Sequence, residues 1–224
     1  MSILRWSLML ILGLTTLFVN AAPTRVMNDL TQFDHPLLLG DWYVVSDGEG
    51  EVAKSYKAIR LNFDSHYEFI MQIYKHDSSI EYWYGKYQVD KQVIRLTGNG
   101  IEPQEYAFST THNKLMLNGI TFYKGNTIGL AGVWQSETLT GQENELIHLK
   151  TMTLVLQPDF VFMIKVIDAN GNEAIHQGIY FTEGQHLVLL YQNGGHDTQF
   201  TLSENTMTLN VEQGAVEAVL ARLQ

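Results

Sequence analysis

The sequence predicts an all-β protein made of two tandem small antiparallel up-and-down β-barrels, about eight strands each. Three observations carry that prediction: an apolar period of 2, turn signals at short intervals, and an internal repeat at an offset of 92 or 93 residues. Gly40-Asp41-Trp42 is answered by Gly132-Val133-Trp134, and Gly85-Lys86-Tyr87 by Gly178-Ile179-Tyr180. Ile94 and Leu96 map onto Leu187 and Leu189 at the same spacing. The 224 residues are 45% hydrophobic, 17% charged and 11% aromatic, with 18 Gly against 4 Pro, which describes an ordered chain rather than a disordered or polytopic membrane one.

The first 21 residues read as a secretory signal peptide. Arg5 supplies the basic n-region, Leu8 to Val19 the apolar stretch, and Val19-Asn20-Ala21 the small residues of a cleavage site. Cleavage there leaves a chain expected to be exported, periplasmic or secreted, with no stable membrane insertion. Residues 22–36 form a lead-in, with a weak helical pattern over Thr24 to Phe33. Domain 1 is read as 37–125 and domain 2 as 129–224, joined by the short linker Gly125-Asn126-Thr127-Ile128-Gly129 that should hold them close.

Within domain 1, Tyr67, Phe69, Met71 and Ile73 form an inner stripe, and in domain 2 Phe160, Phe162, Ile164 and Val166 form its counterpart. Gln157-Pro158-Asp159, Thr97-Gly98-Asn99-Gly100 and Gln192-Asn193-Gly194-Gly195 punctuate these runs as turns. Closing eight such strands into a barrel removes both exposed edges. A pair of β-sandwiches is the competing architecture. Val188 and Leu190 lie opposite Leu187, Leu189 and Tyr191 on one strand, so that strand is apolar on both faces and is expected to be covered on both. Its outer face is assigned to packing against domain 1 or another copy.

The Gly-x-Trp that opens the first strand after a short lead-in, at Trp42 and again at Trp134, resembles the lipocalin and wider calycin pattern. The Gly-x-Tyr pairs ending in Tyr87 and Tyr180 resemble those of compact bacterial lipocalin-like domains. The resemblance implies that Trp42 and Trp134 plug the closed ends of barrels beneath basic side chains near the last strands, roles that Lys124 and Arg222 could fill. There is no Thr-Asp-Tyr motif, and without Cys the disulfides common among lipocalins cannot form.

The composition excludes several chemistries. Acidic residues outnumber basic ones by 24 to 14, a formal charge of −10, which repels nucleic acid and anionic lipid. With no Cys there is no thiolate nucleophile or metal site. The eight His show no ligand spacing, although His176 and His186 could be neighbours across a hairpin near Thr182-Glu183-Gly184. Asp168 to Glu173 superficially resembles a calcium loop but reads as an Asn-Gly turn. No Gly-x-Ser-x-Gly elbow or phosphate-cradling loop occurs, and the acidic segment Asp47 to Glu51 reads as a solvated loop. No catalytic residue, cofactor or metal site is therefore assigned.

Nine of the 11 Tyr lie in domain 1, including Tyr82 and Tyr84 around Trp83. Tyr combines an apolar body with a polar tip, so domain 1 is the expected ligand site, with Tyr67, Phe69, Met71, Tyr82 and Tyr84 as lining. Which of Tyr82, Trp83 and Tyr84 face inward is left open by the pattern. The expected function is non-enzymatic binding of a small apolar or amphipathic molecule. The alternative is an interaction module with solid barrels that meets an envelope or host protein; a hydrolase or isomerase ranks last.

Overall fold

The computed structural model describes residues 29–46, 55–98, 101–141, 149–211 and 216–223. The segment read as a signal peptide, the acidic residues 47–51 and residues Asn99 and Gly100 lie outside them. In the described part of the lead-in, the helical pattern becomes two short 3-10 turns, Leu30–Gln32 and Pro36–Leu38. Pro36 stands at the first position of the second turn, where no N–H is needed.

The first eight strands are β1 (Gly40–Val45), β2 (Ala58–Phe63), β3 (Glu68–Tyr74), β4 (Ile80–Asp90), β5 (Val93–Gly98), β6 (Ile101–Thr110), β7 (Lys114–Leu117) and β8 (Ile120–Lys124). Each pairs antiparallel with the next, and β8 returns to β1, closing a barrel. The second set repeats this: β9 (Gly132–Gly141), β10 (Leu149–Leu156), β11 (Val161–Asp168), β12 (Glu173–Glu183), β13 (His186–Tyr191), β14 (Gly194–Ser203), β15 (Thr206–Val211) and β16 (Val216–Arg222). Here β16 closes on β9. Closure gives every strand two partners, so neither sheet keeps an edge. The sandwich alternative is ruled out by these two closing pairs.

Period 2 puts the strand positions of the predicted stripes inside, with Phe69 and Met71 buried in barrel one and Phe162 in barrel two. The turns before β3 and β11 place Tyr67 and Phe160 at φ of 58° and 71°. Such a left-handed aromatic is strained and persists where its surroundings over-determine it. Here the Gly-x-Tyr signature does so. The backbone N–H of Tyr87 donates to the carbonyl of Tyr67 and its hydroxyl to that of Asp64, at 2.8 and 2.7 Å. Tyr180 repeats both bonds, to Phe160 at 2.9 Å and Gln157 at 2.6 Å. Burial pushes both phenols well above their ordinary pKa, so both remain donors. The accompanying glycines let strands approach: a Cβ on Gly85 would sit 2.1 Å from the Thr97 carbonyl oxygen, and one on Gly178 2.0 Å from that of Leu190.

The two barrels share a core. Phe181 and Val188, on the outer wall of barrel two, are buried in one apolar cluster with Leu38, Leu39 and Trp42 of the first half. The strand that is apolar on both faces is thus covered on both. Leu30 and Phe33 join the same cluster, so the lead-in lies between the barrels. It is pinned to barrel two by Asp197, whose Oδ2 accepts the Leu30 N–H at 2.8 Å while Oδ1 meets His186 Nδ1 at 2.7 Å. His186 and His176 are not hairpin neighbours: register sets His186 opposite Glu183 and His176 opposite Ile164.

Val188→Asp would place an unpaired carboxylate in this shared core. It is expected to lower stability by more than about 3 kcal/mol in chemical denaturation. Ile175→Asp, at an exposed position on the same barrel, should change it by less than about 0.5 kcal/mol.

Candidate functional site

The closed ends are built alike. Trp42 and Trp134 are wholly buried, and each indole N–H donates to a carbonyl four residues earlier, Leu38 at 2.8 Å and Leu130 at 2.9 Å. At the closing pair of strands, Trp42 stands opposite Lys124 and Trp134 opposite Arg222. The ammonium of Lys124 lies 4.8 Å from the Trp42 ring centre, and the guanidinium of Arg222 4.1 Å from that of Trp134. Arg222 also donates to the carbonyls of Ala131, at 2.8 Å, and Gly129. The Gly of Gly-x-Trp makes room for the basic group: a Cβ on Gly132 would fall 2.2 Å from Arg222 Nη1. Gly40, at φ +104°, would bring its Cβ to 3.4 Å from Lys124 Cε.

Lys124 differs from Arg222 in what lies beyond it. The rings of Phe160 and Phe181, both from barrel two, stand 5.9 and 5.3 Å from its ammonium. Burial under these rings lowers its pKa from 10.5 to about 7.

The other ends of the barrels differ. In barrel one, Trp83 projects inward from β4, and Tyr106 from β6 joins it against the core. Tyr82 and Tyr84 therefore face outward, each more than half exposed, because neighbouring strand residues alternate faces. This corrects the expectation that they line a ligand cavity. Tyr67 is also displaced: its left-handed turn carries it to the closed end, where it contacts the Phe33 and Tyr87 rings and donates to Asp34 at 3.1 Å. Phe69 and Met71 are interior but belong to packed core.

In barrel two an apolar cavity of about 530 Å³ opens at the end away from Trp134. All eight strands contribute, with Leu139, Met152, Ile164, Val166, Leu189 and Leu209 forming its apolar wall. Register shows why it exists. Trp83 pairs with Met71 as His176 pairs with Ile164, and Tyr106 pairs with Ile94 as Thr198 pairs with Leu187. Two large interior side chains of barrel one are thus replaced by two smaller ones. The polar groups at the cavity are His176, Tyr191, His196 and Thr198. The Tyr191 ring centre lies 5.8 Å from that of His176 and 5.5 Å from that of His196, and the Thr198 hydroxyl donates to the Asn210 carbonyl at 2.9 Å. The sequence reading missed this site. Its signal was the repeat offset itself, which aligns Trp83 with His176.

Among the described residues no group of three or more His, Asp or Glu could hold a metal ion. No helix among them is long and apolar enough to cross a membrane. Asp168 accepts backbone N–H groups of Asn170 and Asn172, both at 2.8 Å, so its loop is a side-chain-stabilised turn.

Two closed eight-stranded meanders, each stoppered by Trp beneath a basic group, have the architecture of tandem lipocalin-like barrels. Among solved structures, the chain is similar to a lipocalin-like protein from Bacteroides uniformis ATCC 8492, at 14% identity over 42% of this chain and 99% of that one, TM-score 0.34. It is also similar to an uncharacterized protein from Bacteroides eggerthii DSM 20697, at 12% identity over 42% and 98%, TM-score 0.32. No protein-family model and no curated protein matches the chain.

Trp42→Ala and Trp134→Ala should each destabilise the protein by about 3 to 5 kcal/mol in denaturant titrations, through lost packing and the cavity left behind. Lys124 gives a separate pH signature. Between pH 7 and 10 the unfolded chain holds a lysine proton that the folded chain has released, so stability should rise with pH across that window. Lys124→Met should flatten that part of the profile.

Proposed function

We propose that this is an exported, non-enzymatic binding protein whose second barrel takes up a small apolar or amphipathic molecule. The observation carrying this reading is the cavity of about 530 Å³ at the end of barrel two away from Trp134. Its size falls within the range of small-molecule sites, and a mainly apolar wall with a few polar groups at the mouth is their usual chemistry. An apolar body would occupy the space among Ile164, Val166 and Leu189, and a polar end would meet His176, Tyr191 or His196. Barrel one, filled by Trp83 and Tyr106, serves in this reading as a support. The export assignment rests on the N-terminal signal pattern.

The outer face of barrel one favours a second reading. Tyr43, Tyr82, Tyr84, Tyr123 and Ile70 are exposed there, and Tyr and Arg are enriched at protein interfaces. Arg60 lies among them, beside Tyr43. An envelope or host protein is the partner this reading implies.

Native mass spectrometry of the protein from its own host separates the two. A bound mass of roughly a few hundred daltons, lost on denaturation, is expected. The double variant His176→Trp, Thr198→Tyr gives barrel two the filling of barrel one and should abolish that mass. A clean ligand-free mass for the wild type, or an undiminished adduct on the double variant, would overturn the cavity reading.

A further inference from the structure

A second cavity, a crevice of about 490 Å³, lies where the closed end of barrel one meets barrel two. It is polar, unlike the barrel cavity, and its walls come from both domains and the linker. Most of its polar groups are already engaged. Asp41 is bound by Arg60, at 3.1 and 3.2 Å, and by Asn62 at 3.1 Å. Asp64 Oδ1 accepts the backbone N–H groups of His66 and Glu68 at 3.0 and 2.8 Å. Asn126 donates to the Pro158 carbonyl at 2.7 Å, and the Thr127 and Thr182 hydroxyls meet at 3.0 Å.

Two groups bearing formal charge, one of each sign, are incompletely partnered. Glu183 Oε1 accepts the backbone N–H and hydroxyl of Ser65, at 3.0 and 2.7 Å, but its Oε2 is buried with no hydrogen-bond partner. Lys124 is half-buried among three rings, with one long hydrogen bond of 3.4 Å to the Leu37 carbonyl. No carboxylate among the described residues forms an ion pair with it. A buried carboxylate oxygen without a partner is costly, and so is an ammonium held among rings with a single long hydrogen bond. Both line one crevice without pairing with each other.

We propose that this crevice binds a small zwitterion of amino-acid size, its ammonium end meeting Glu183 and its carboxylate end meeting Lys124. A simple cation would leave Lys124 uncompensated and be repelled by it. A simple anion would face Asp41, Asp64 and Glu183. A molecule bearing both charges completes both groups, and charge-assisted hydrogen bonds are the stronger kind. Because the walls belong to both barrels, the ligand would also bridge them.

The test is a titration of the full chain with glycine and L-serine, followed through the amide resonances of Gly125, Thr127 and Gly184. Glycolate and methylammonium serve as probes of each half. Saturable shifts with the amino acids, and about tenfold weaker binding of either half-probe, are expected. Glu183→Gln keeps an acceptor for Ser65 and removes the charge, so it should weaken amino-acid binding by about tenfold or more. The barrel-two variant His176→Trp should leave this binding unchanged. The proposal is overturned if the shifts do not saturate by about 50 mM, if a half-probe binds as tightly as glycine, or if Glu183→Gln binds like the wild type.

Discussion

The contact between an indole and a cation at each closed end is what the remaining structure depends on. A meander becomes a barrel only when its last strand returns to its first, and here that return is made at the Trp and its basic partner. Trp42 opposite Lys124, and Trp134 opposite Arg222, put the ring and the charge side by side on the closing pair. The ring seals the base, its N–H satisfies a carbonyl of the entering chain, and the basic side chain covers it. Two residues before the Trp, Arg222 leaves no room for a Cβ at Gly132, and at Gly40 the positive φ of 104° favours glycine. In barrel one the same contact also sets the interface, because the rings of Phe160 and Phe181 cover Lys124 from the other side.

Much of this was legible in the sequence because it depends on local period and repetition. Alternation placed Phe69, Met71, Phe162 and Ile164 inside, the repeat offset revealed two units, and a strand apolar on both faces announced a covered outer wall. The candidate site was harder to read. Alternation decides which neighbours share a face but leaves open which face is inner, so the run Tyr82-Trp83-Tyr84 had two solutions, and Trp83 took the interior. Tyr67 followed the stripe in sequence yet left it in space, since a left-handed residue breaks the alternation. Aromatic abundance in domain 1 suggested a ligand chamber when it meant filled volume. The same reasoning reversed would have found the cavity: where barrel two carries His176 and Thr198 in place of Trp83 and Tyr106, volume is missing. The crevice and its polar accounting are invisible to sequence, because Ser65 and Glu183 meet across 118 positions.

The two halves have thus diverged in a way that packing alone can describe. They keep the parts that make a barrel: the Trp plug, the tethering Tyr at 87 and 180, and the glycines that let neighbouring strands approach. They differ in the upper interior, where substitution costs closure nothing, and on the outer walls, where barrel two is apolar at Phe181 and Val188 and barrel one is rich in exposed Tyr. One barrel supplies a solid base and the other an accessible interior. Neither arrangement requires any change in strand number or order.

The lead-in between the barrels bears on how the chain acquires its structure during synthesis. The Leu30 N–H is held by Asp197, 167 positions later, and Leu30 and Phe33 share a core with Val188. The first described residues to emerge therefore have to wait for some of the last. Barrel one can pair most of its strands early, since every neighbour except the closing pair of β8 with β1 is adjacent in sequence, but its base stays uncovered until β13 and β14 exist. During that interval the Lys124 ammonium lacks the cover of the Phe160 and Phe181 rings. Docking of the two barrels therefore waits on the C-terminal half, which supplies Phe181, Val188 and Asp197.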